Sequence, residues 1–290
     1  MIPLADNRPQ GAATPGDPLA ALTLPSWRGF INERLLVAAA RDDALFVHPH
    51  AQRTGGKTLR DRVLAAVFGA ERVYGRATVA VVKRWPRLED RDLVGYCAVS
   101  DHFDFRPGRL SRLCLPIALL RDPLYRAASL HGFVRKHAGH RLHALAQDHD
   151  LEEFYRRGRA VLPRYFRNLQ CRVICGVDDA RIALDMIETR YLGVGFTERL
   201  GVFANQLGGA LGWPELDVRT MPPDAERYGS AITPAFQTMV VEDNAEDLVL
   251  FDAMANGPPY RIAPGTVAQR ARTAFKKTEN AARTIAGRYF

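Results

Sequence analysis

The sequence has few cysteines and no long apolar segment. Its four cysteines, among 290 residues, lack the double pairing of a zinc site, so buried free thiols are expected rather than a metal cluster or a disulfide framework. No run approaches the ~18 uninterrupted apolar residues of a membrane-spanning helix. The first 25 residues contain five prolines and no apolar core of a signal peptide. We therefore expect a cytoplasmic protein without a membrane span.

Lysine is also scarce. Of the 40 basic residues 35 are arginine and five are lysine, and the net charge is +8. Arginine matches the oxygen geometry of phosphate and sulfate, which favours an anionic ligand. A biased genomic base composition gives the same excess, so composition alone does not identify a ligand. The scarcity does direct attention to Lys57, which lies in the first motif described below.

Apolar patterns along the chain predict an α/β protein. Strand-length apolar runs and helical spacings alternate in the first half, and helical spacing dominates afterwards. Strands are predicted at 44–48, 79–82, 93–99 and 115–120, and helices at 32–41, 56–68, 123–136, 151–162, 180–191, 198–211 and 243–254. This order predicts a P-loop-like parallel sheet flanked by helices, with a helix-rich C-terminal half.

We divide the chain into three parts on composition. Residues 1–27 are rich in proline, glycine and alanine and are predicted to form a flexible arm. Residues 28–260 are predicted to form one α/β domain, and residues 261–290 a basic C-terminal helix. A basic terminal helix suits contact with an anionic membrane surface or polymer, although a solvated helix is the more common alternative.

A glycine-rich stretch follows the first strong strand, with the sequence His50-Ala-Gln-Arg-Thr-Gly-Gly-Lys-Thr-Leu59. Gly55 and Gly56 let the backbone turn tightly, and the helix that follows offers unpaired N–H groups and a positive dipole end. Arg53, Lys57 and neighbouring hydroxyl groups add further donors. The stretch predicts a phosphate cradle in preference to an ordinary strand-to-helix turn.

A second stretch has the same strand–loop–helix order, with the sequence Leu119-Leu-Arg-Asp-Pro-Leu-Tyr-Arg-Ala-Ala-Ser129. Asp122 suits the N-cap and Pro123 the first helical position. Arg121 is then placed at the tip of the strand and Ser129 in the second helical turn. The stretch predicts a second anion-binding turn, and the alternative is a helix start whose charges face water.

Two ligand classes fit the first motif. Gly56-Lys57-Thr58 ends the phosphate loop of nucleotide kinases and triphosphatases, although Ala51 stands where that loop has its first glycine. Such an enzyme also needs an acidic ligand for Mg²⁺, for which Asp122 is the candidate. The same stretch resembles the 5′-phosphosulfate loop of sulfotransferases, and Arg-Asp-Pro-x-x-Arg-x-x-Ser resembles their 3′-phosphate site.

Further segments extend this resemblance in the family's order from about residue 44 to about residue 255. They are Tyr165–Gly176, with Cys171 in place of the family's threonine, Val194–Leu200, and Glu242–Phe251. The chain is identified as similar to sulfotransferases that use 3′-phosphoadenosine 5′-phosphosulfate (PAPS), the group with heparan-sulfate 2-O- and 6-O-transferases and bacterial relatives. The 28–260 segment is thus expected to be sulfotransferase-like.

The resemblance implies transfer of a sulfuryl group from PAPS to a hydroxyl of a carbohydrate or glycolipid by in-line displacement. PAP is the product, no metal is required, and no nucleic-acid partner is expected. The implied donor-binding residues are Arg53, Thr54, Gly55, Gly56, Lys57 and Thr58 on the 5′ side, and Arg121 and Ser129 on the 3′ side. The oligomeric state is not predicted.

The resemblance also implies a histidine base at the end of a strand. His102 matches that histidine, with Asp101 in place of the family's glycine, and Asp101 or Asp104 is expected to orient the imidazole. His50 and His131 are the second and third candidates.

The first loop departs from the family at two positions. Arg53 replaces the lysine that assists the leaving group, and Lys57 replaces the threonine after Gly-Gly. Arginine stabilises developing negative charge but does not readily give up a proton. One of these two residues is therefore expected to act on the leaving group. The readings left open are a kinase or triphosphatase that uses Ala51–Thr58, and a non-catalytic binder of anionic polymer.

Overall fold

A computed structural model of the chain describes residues 29–41, 43–75, 85–218 and 224–256. The predicted N-terminal arm, the predicted strand at 79–82 and the basic C-terminal helix lie outside the described residues. Among the described residues, the chain forms an α/β structure in which helices flank a mostly parallel sheet. The predicted α/β fold class is confirmed at this level.

Within the described residues the sheet has six strands in the order β1-β6-β5-β2-β4-β3. The strands are β1 Phe30–Ile31, β2 Leu45–Pro49, β3 Val73–Tyr74, β4 Ala98–Asp101, β5 Cys114–Leu120 and β6 Gly193–Phe196. β1 pairs antiparallel with β6, and the other pairs are parallel. In the central strand, Val47 lies opposite Val99 on one side and Pro116 on the other.

The helices lie close to the predicted positions wherever a capping residue precedes a long apolar pattern. The helices are α1 Glu33–Ala39, α2 Gly56–Thr58, α3 Ala65–Phe68, α4 Pro123–Arg135, α5 His143–Asp148, α6 Leu151–Val161, α7 Pro163–Phe166, α8 Leu169–Cys175, α9 Ala180–Arg190, α10 Leu200–Leu211, α11 Asp224–Tyr228, α12 Pro234–Asp243 and α13 Ala245–Asn256. A π-helical segment, Leu59–Leu64, joins α2 to α3. Short 3₁₀ turns lie at Ala70–Arg72, Trp85–Arg87, Asp90–Leu93, Thr197–Arg199 and Gly229–Ala231.

One predicted strand was wrong in its extent. The strand predicted at 93–99 begins only at Ala98, because a 3₁₀ turn with a capping box occupies the preceding residues and Gly95 has a φ of 83°. The helix predicted at 243–254 is confirmed as α13, Ala245–Asn256, which begins two residues later because Asn244 separates it from α12. Strand β6 was not predicted, because its two glycines weaken a strand pattern. Gly195 lacks a side chain because the Phe203 ring lies 2.4 Å from where its Cβ would be.

Side chains that alternate along the central strands divide the core between the two faces of the sheet. Leu45 and Val47 of β2 pack on one face with α8, α9 and α13. Phe46 packs on the other face with the π-helical segment and α10. A third apolar cluster joins α4, α6 and α12. The strands are thus covered on both sides, which accounts for their continuous apolar runs.

The carboxyl ends of the parallel strands meet at one edge of the sheet. His50 follows β2, His102 follows β4, Arg121 follows β5 and Thr197 follows β6. From β2 the chain first builds β3 and β4 on one side, and later places β5 on the other. The order of strands therefore reverses between β2 and β5, and ligand-binding crevices of α/β proteins lie outside the carboxyl ends at such a point.

Candidate functional site

A cavity of ≈ 830 Å³ lies at this edge of the sheet and is lined by both predicted anion-binding turns. The residues that line the cavity include Gly55, Gly56, Lys57 and Thr58 from the first turn and Arg121 from the second. The cavity is large enough for a nucleotide-sized ligand, since small-molecule sites span roughly 300–1,000 Å³. The structure therefore brings together, in one place, segments that are more than sixty residues apart in the chain.

The two turns are in direct contact. Arg53 Nε donates a hydrogen bond to Ser129 Oγ at 3.1 Å, and Arg121 Nη1 donates to the Arg53 carbonyl oxygen at 2.9 Å. The turns thus face each other rather than opposite sides of the molecule. A single ligand with anionic groups at both ends can contact both.

The first turn supplies free backbone donors. Gly55 has a φ of 82°, and Gly56 begins a helical stretch that continues to Phe68. The N–H groups of Gly55, Gly56 and Lys57 find no acceptor among the described residues. Unpaired N–H groups and the positive end of the helix dipole favour an anion at this position.

Thr54, predicted as a donor to the ligand, instead makes a hydrogen bond within the turn. Its side chain is buried, and its hydroxyl donates to the Ala51 carbonyl oxygen at 2.8 Å. The hydroxyl hydrogen is therefore used inside the turn. Thr58, in contrast, lines the cavity with Lys57.

A side chain at position 56 would clash with a neighbouring residue, which the sequence did not indicate. A Cβ at this position would lie 2.1 Å from the ring of His50. The imidazole of His50 packs directly on the glycine, and burial lowers the pKa of His50 well below its ordinary value. Gly56 thus makes room for a neutral histidine as well as for a close approach of the backbone to a ligand.

Arg53 is held in an uncommon backbone conformation. Its φ is 70°, in a region that non-glycine residues rarely occupy. Its guanidinium carbon lies 4.7 Å from the centre of the Phe133 ring, while its Nε donates to Ser129. Burial and the nearby charge of Arg121 lower the pKa of Arg53. A strained residue fixed by several contacts is typical of binding and catalytic sites.

Arg121 is paired with a carboxylate that was not predicted from the sequence. Arg121 Nε and Nη2 donate to the two oxygens of Asp224, the first at 2.7 Å, and the residue is 3% exposed. Asp224 lies 103 positions further along the chain, so no local pattern links the two. Arg121 was predicted as a cation for a ligand phosphate, and in the structure much of its charge is balanced by Asp224.

A second acid, Glu198, lies beside this pair and also lines the cavity. Burial, and the negative charge of the nearby Asp224, raise the pKa of Glu198 to about 9. Burial opposes ionisation of Asp224 as well, but the hydrogen bonds and the positive charge of Arg121 bring its pKa below the ordinary value. The cluster therefore contains one arginine, one carboxylate and one protonated carboxylic acid near neutral pH.

Ser129 lies behind Arg53. The residue is 1% exposed, and its hydroxyl oxygen accepts the hydrogen bond from Arg53 Nε. In this arrangement Ser129 acts on the cavity through Arg53. Asp122, the candidate Mg²⁺ ligand, is buried, and its carboxylate accepts from the N–H groups of Leu124 and Tyr125 as the N-cap of α4.

His102 lines the cavity, and a backbone contact sets its tautomer. Its Nδ1 lies 2.7 Å from the carbonyl oxygen of His50. A carbonyl only accepts, so Nδ1 carries the proton and Nε2 of the neutral ring keeps its lone pair. Neither predicted carboxylate orients the ring: Asp101 accepts from the His102 main-chain N–H, and Asp104 pairs with Arg164. That part of the prediction was wrong.

The other two candidate bases are placed less favourably. His50 stacks on His102 with ring centres 4.3 Å apart, and its lowered pKa makes it a weak base. His131 lies outside the cavity lining, and its Nε2 faces the carbonyl oxygens of Ala146 and His149. His50 also lines the cavity, but only for His102 does a hydrogen bond fix a tautomer that leaves Nε2 with its lone pair.

The segment Tyr165–Gly176, which resembles a family motif, supports the site from behind. The Gln170 side chain accepts from the Arg121 N–H at 2.9 Å and donates to the Arg121 carbonyl oxygen at 2.8 Å. Asp247 accepts from the N–H groups of Gln170 and Cys171, while Asn168 Oδ1 accepts from those of Glu246 and Asp247. The starts of α8 and α13 thus cap each other.

No protein-family model matches the sequence, and no curated protein is significantly similar to it. Among the helices that the structure describes, none is long and apolar enough to cross a bilayer.

Proposed function

We propose that the protein is a sulfotransferase that transfers the sulfuryl group of PAPS to a hydroxyl of a carbohydrate or glycolipid. The observation that carries the proposal is the contact between the two anion-binding turns, which line a single cavity together with a histidine of defined tautomer. A P-loop-like cradle at the first turn is part of this proposal. The sequence resemblance supports it independently of the geometry.

The residues present fit a donor with anionic groups at both ends. The free N–H groups at Gly55, Gly56 and Lys57 suit the 5′ side. On the 3′ side, Arg121 keeps an unused N–H on each terminal nitrogen while it is paired with Asp224. Arg227, which also lines the cavity, adds a further cation. The donor supplies the sulfuryl group, and PAP is the leaving group.

His102 is assigned as the general base. Its Nε2 takes the proton of the acceptor hydroxyl, while the His50 carbonyl holds the ring through Nδ1. Stacking against the neutral His50 ring keeps the imidazole in place without adding a charge. Cations on the first turn stabilise the negative charge that develops on the leaving phosphate.

Calorimetry with PAP, with and without Mg²⁺, tests the donor assignment, with ATP and Mg²⁺ as the comparison. We expect PAP to bind equally well in both conditions, and more tightly than ATP, because the site offers backbone N–H groups and arginines as its anion ligands. Mg²⁺-dependent binding of ATP without PAP binding would indicate a kinase or triphosphatase. Salt-sensitive binding of an anionic polymer, with no nucleotide binding, would indicate the third alternative.

The variant His102→Asn tests the base. Asparagine preserves a polar side chain but cannot accept a proton near neutral pH. Turnover of labelled PAPS with an active acceptor should fall by about 10²–10⁴-fold, with little change in PAP affinity. His131→Asn, outside the cavity lining, serves as the control. Equal turnover in His102→Asn and the wild type would remove His102 from the mechanism.

A further inference from the structure

Three histidine rings form a stack that runs from the core of the sheet to the cavity. His48 lies in β2, His50 follows β2, and His102 follows β4. The ring centres of His48 and His50 are 5.3 Å apart at 21°, and those of His50 and His102 are 4.3 Å apart at 27°. We call these three residues the histidine stack. The proposed chemistry uses His102 as the base and gives the buried His48 no part.

The pairing of two parallel strands builds the histidine stack. His48 of β2 lies opposite Ser100 of β4, and side chains two positions apart on a strand share a face. His48 and His50 therefore lie on the same face of the sheet. The His50 N–H donates to the Asp101 carbonyl oxygen at 2.9 Å. This hydrogen bond continues the strand pairing past the end of β2 and brings His50 beside His102.

The innermost ring, His48, is fixed in orientation and uncharged. The residue is 1% exposed, and its Nδ1 lies 2.8 Å from Ser100 Oγ. Burial lowers the pKa of His48 to about 3, so the ring is neutral near neutral pH. Its Nε2 is shielded from solvent and has no hydrogen-bond partner among the described residues, a cost that an aliphatic side chain would avoid. Packing alone therefore does not explain a histidine at this position.

The middle ring, His50, connects the first anion-binding turn with the base. It packs on Gly56, where an added Cβ would lie 2.1 Å from the imidazole. It also stacks on His102, whose Nδ1 donates to the His50 main-chain carbonyl at 2.7 Å. His50 thus contacts His102 through two separate groups, one of which sets the plane of the His102 ring and the other its tautomer.

We propose that His48 and His50 are positioning residues that hold the base His102 at a fixed place relative to the donor-binding turn, an inference that rests on the proposed function. In the proposed transfer the acceptor oxygen forms a bond to sulfur as the bond from sulfur to the 5′-phosphate oxygen breaks, and the hydroxyl proton passes to His102 Nε2. A displacement of about 1 Å in such a site costs about 10²-fold in rate. Both supporting rings are neutral, so they do not oppose the positive charge that His102 acquires with the proton.

The tautomer of His102 gives a test that needs neither PAPS nor an acceptor. Long-range proton–nitrogen NMR spectra of the full-length protein, labelled with nitrogen-15, distinguish Nδ1–H from Nε2–H rings. They are recorded at a pH of about 8, above the ordinary histidine pKa of about 6.5. The His102 signals are assigned by their loss in His102→Asn. We expect the Nδ1–H form in the wild type and in His50→Phe, which keeps a stacking ring, and a mixture of both forms in His50→Leu.

Kinetics with PAPS and an active acceptor test the consequence for the reaction. We expect His50→Leu to lower kcat about 10- to 100-fold, with the KM for PAPS and the PAP affinity within about threefold. His50→Phe should recover most of the loss. Ser100→Ala, which removes the hydrogen bond to His48, should lower kcat about two- to tenfold.

His131→Leu is the matched control for a loss of stability alone. His131 is half-buried and packs on Phe154 with ring centres 4.9 Å apart, but it lies outside the cavity lining. Urea unfolding measures the stability of this variant and of His50→Leu side by side. We expect both variants to be destabilised and only His50→Leu to lose kcat.

The inference is overturned if His50→Leu leaves the tautomer of His102 unchanged, or if this variant keeps a normal kcat. Equal losses of kcat in His50→Leu and His131→Leu also overturn it, because the effect then follows from stability. A protein that binds no PAP and transfers no sulfuryl group removes the proposed function, and the tautomer measurement alone then decides whether His50 positions His102.

Discussion

Lys57 and Arg53 lie in the same loop but in different environments. Arg53 is largely buried, has a left-handed backbone, packs on Phe133 and donates to Ser129. Lys57 is exposed, lines the cavity and has no ion-pair partner among the described residues. A flexible ammonium can follow charge as it develops on a leaving group, whereas a pinned guanidinium positions a ligand. For the proposed sulfotransferase we therefore assign the leaving-group role to Lys57 and a positioning role to Arg53.

Replacing Lys57 tests this division. We expect Lys57→Ala to lower turnover of PAPS by about 10²–10³-fold with a much smaller effect on PAP affinity, because the loss falls mainly on the transition state. Arg62→Ala is a matched control, since Arg62 is also basic, exposed and on the cavity lining. Near-normal turnover in Lys57→Ala, or an equal loss in both variants, would contradict the assignment.

At the scale of single residues, the sequence predicted which residue types gather at the site but not how they pair. Arg121, Lys57 and His102 were identified from local strand–loop–helix context, and all three line the cavity. The pairing of Arg121 with Asp224 was not foreseeable, because a contact over 103 positions leaves no local pattern. The His50 ring that fills the space beside Gly56 was not predicted either: both residues lie in one short turn, whose backbone path no periodic pattern reports.

The helical stretch after the first turn is the element that brings Gly56 against His50. We expect Gly56→Ala to destabilise the protein by about 1–3 kcal/mol and to weaken PAP binding, because the added methyl displaces the His50 ring. Gly132→Ala is the control: its added Cβ would meet nothing within 4 Å, and alanine should stabilise helix α4 by about 0.5–1 kcal/mol. Urea unfolding and calorimetry measure both effects, and equal stability of the two variants would contradict the steric account.

Helix α8 holds the tip of β5 through Gln170. In Gln170→Leu the N–H and carbonyl of Arg121 lose their side-chain partners in a buried position. Each such loss costs about 1–3 kcal/mol, so urea unfolding should show a decrease of several kcal/mol. Gln147→Leu, which removes one exposed hydrogen bond to the Arg135 carbonyl, should change stability by less than about 0.5 kcal/mol. If Gln170→Leu lowered the free energy of unfolding as little as the control does, the hydrogen bonds between Gln170 and Arg121 would not contribute to stability.

At the scale of elements, long patterns with caps were predicted well and short elements were not. Asp122 and Asp179 cap α4 and α9, where the sequence placed helix starts. The two-residue strands β1 and β3 and the glycine-containing β6 are held by sheet pairing and by Phe203 packing, which no periodicity reports. Asp247 caps α8, and Asn168 caps α13, although the two helices are far apart in the chain. These capping hydrogen bonds, rather than contact with a ligand, explain why Asn168 and Asp247 occur in the segments that resemble the family.

At the scale of the whole molecule, the predicted meeting of the two anion-binding turns follows from the topology of the sheet. Parallel strands end at the same edge of a sheet, so two strand–loop–helix motifs with similar chemistry were expected to meet there. The part of the cavity wall that is formed by helices, away from the strand ends, was not predictable in the same way. Its residues come from α4, α7, α11 and the segment before it, and only the packing of these helices against one another brings them to the sheet edge.

The acid cluster at the cavity makes the stability of the whole molecule depend on pH. Burial first, and then the nearby charge of Asp224, raises the pKa of Glu198 from 4.5 to about 9. Between these values the folded protein keeps a proton that the unfolded chain releases, so stability falls as pH rises, by up to about 1.4 kcal/mol per pH unit. Asp224 has a lowered pKa, and its contribution is complete above the unfolded value of 3.8 and constant at higher pH.

Glu198→Gln removes this titration and keeps the size and polarity of the side chain. We expect the variant to match the wild type near pH 4.5 and to become progressively more stable than it up to about pH 9, with the gap in Tm widening steadily. Glu215→Gln, at an exposed position, should show no widening gap. A Tm difference that is constant from pH 5 to pH 9 would mean that Glu198 is already ionised in the folded protein, and that Arg121 is balanced by two carboxylates rather than one.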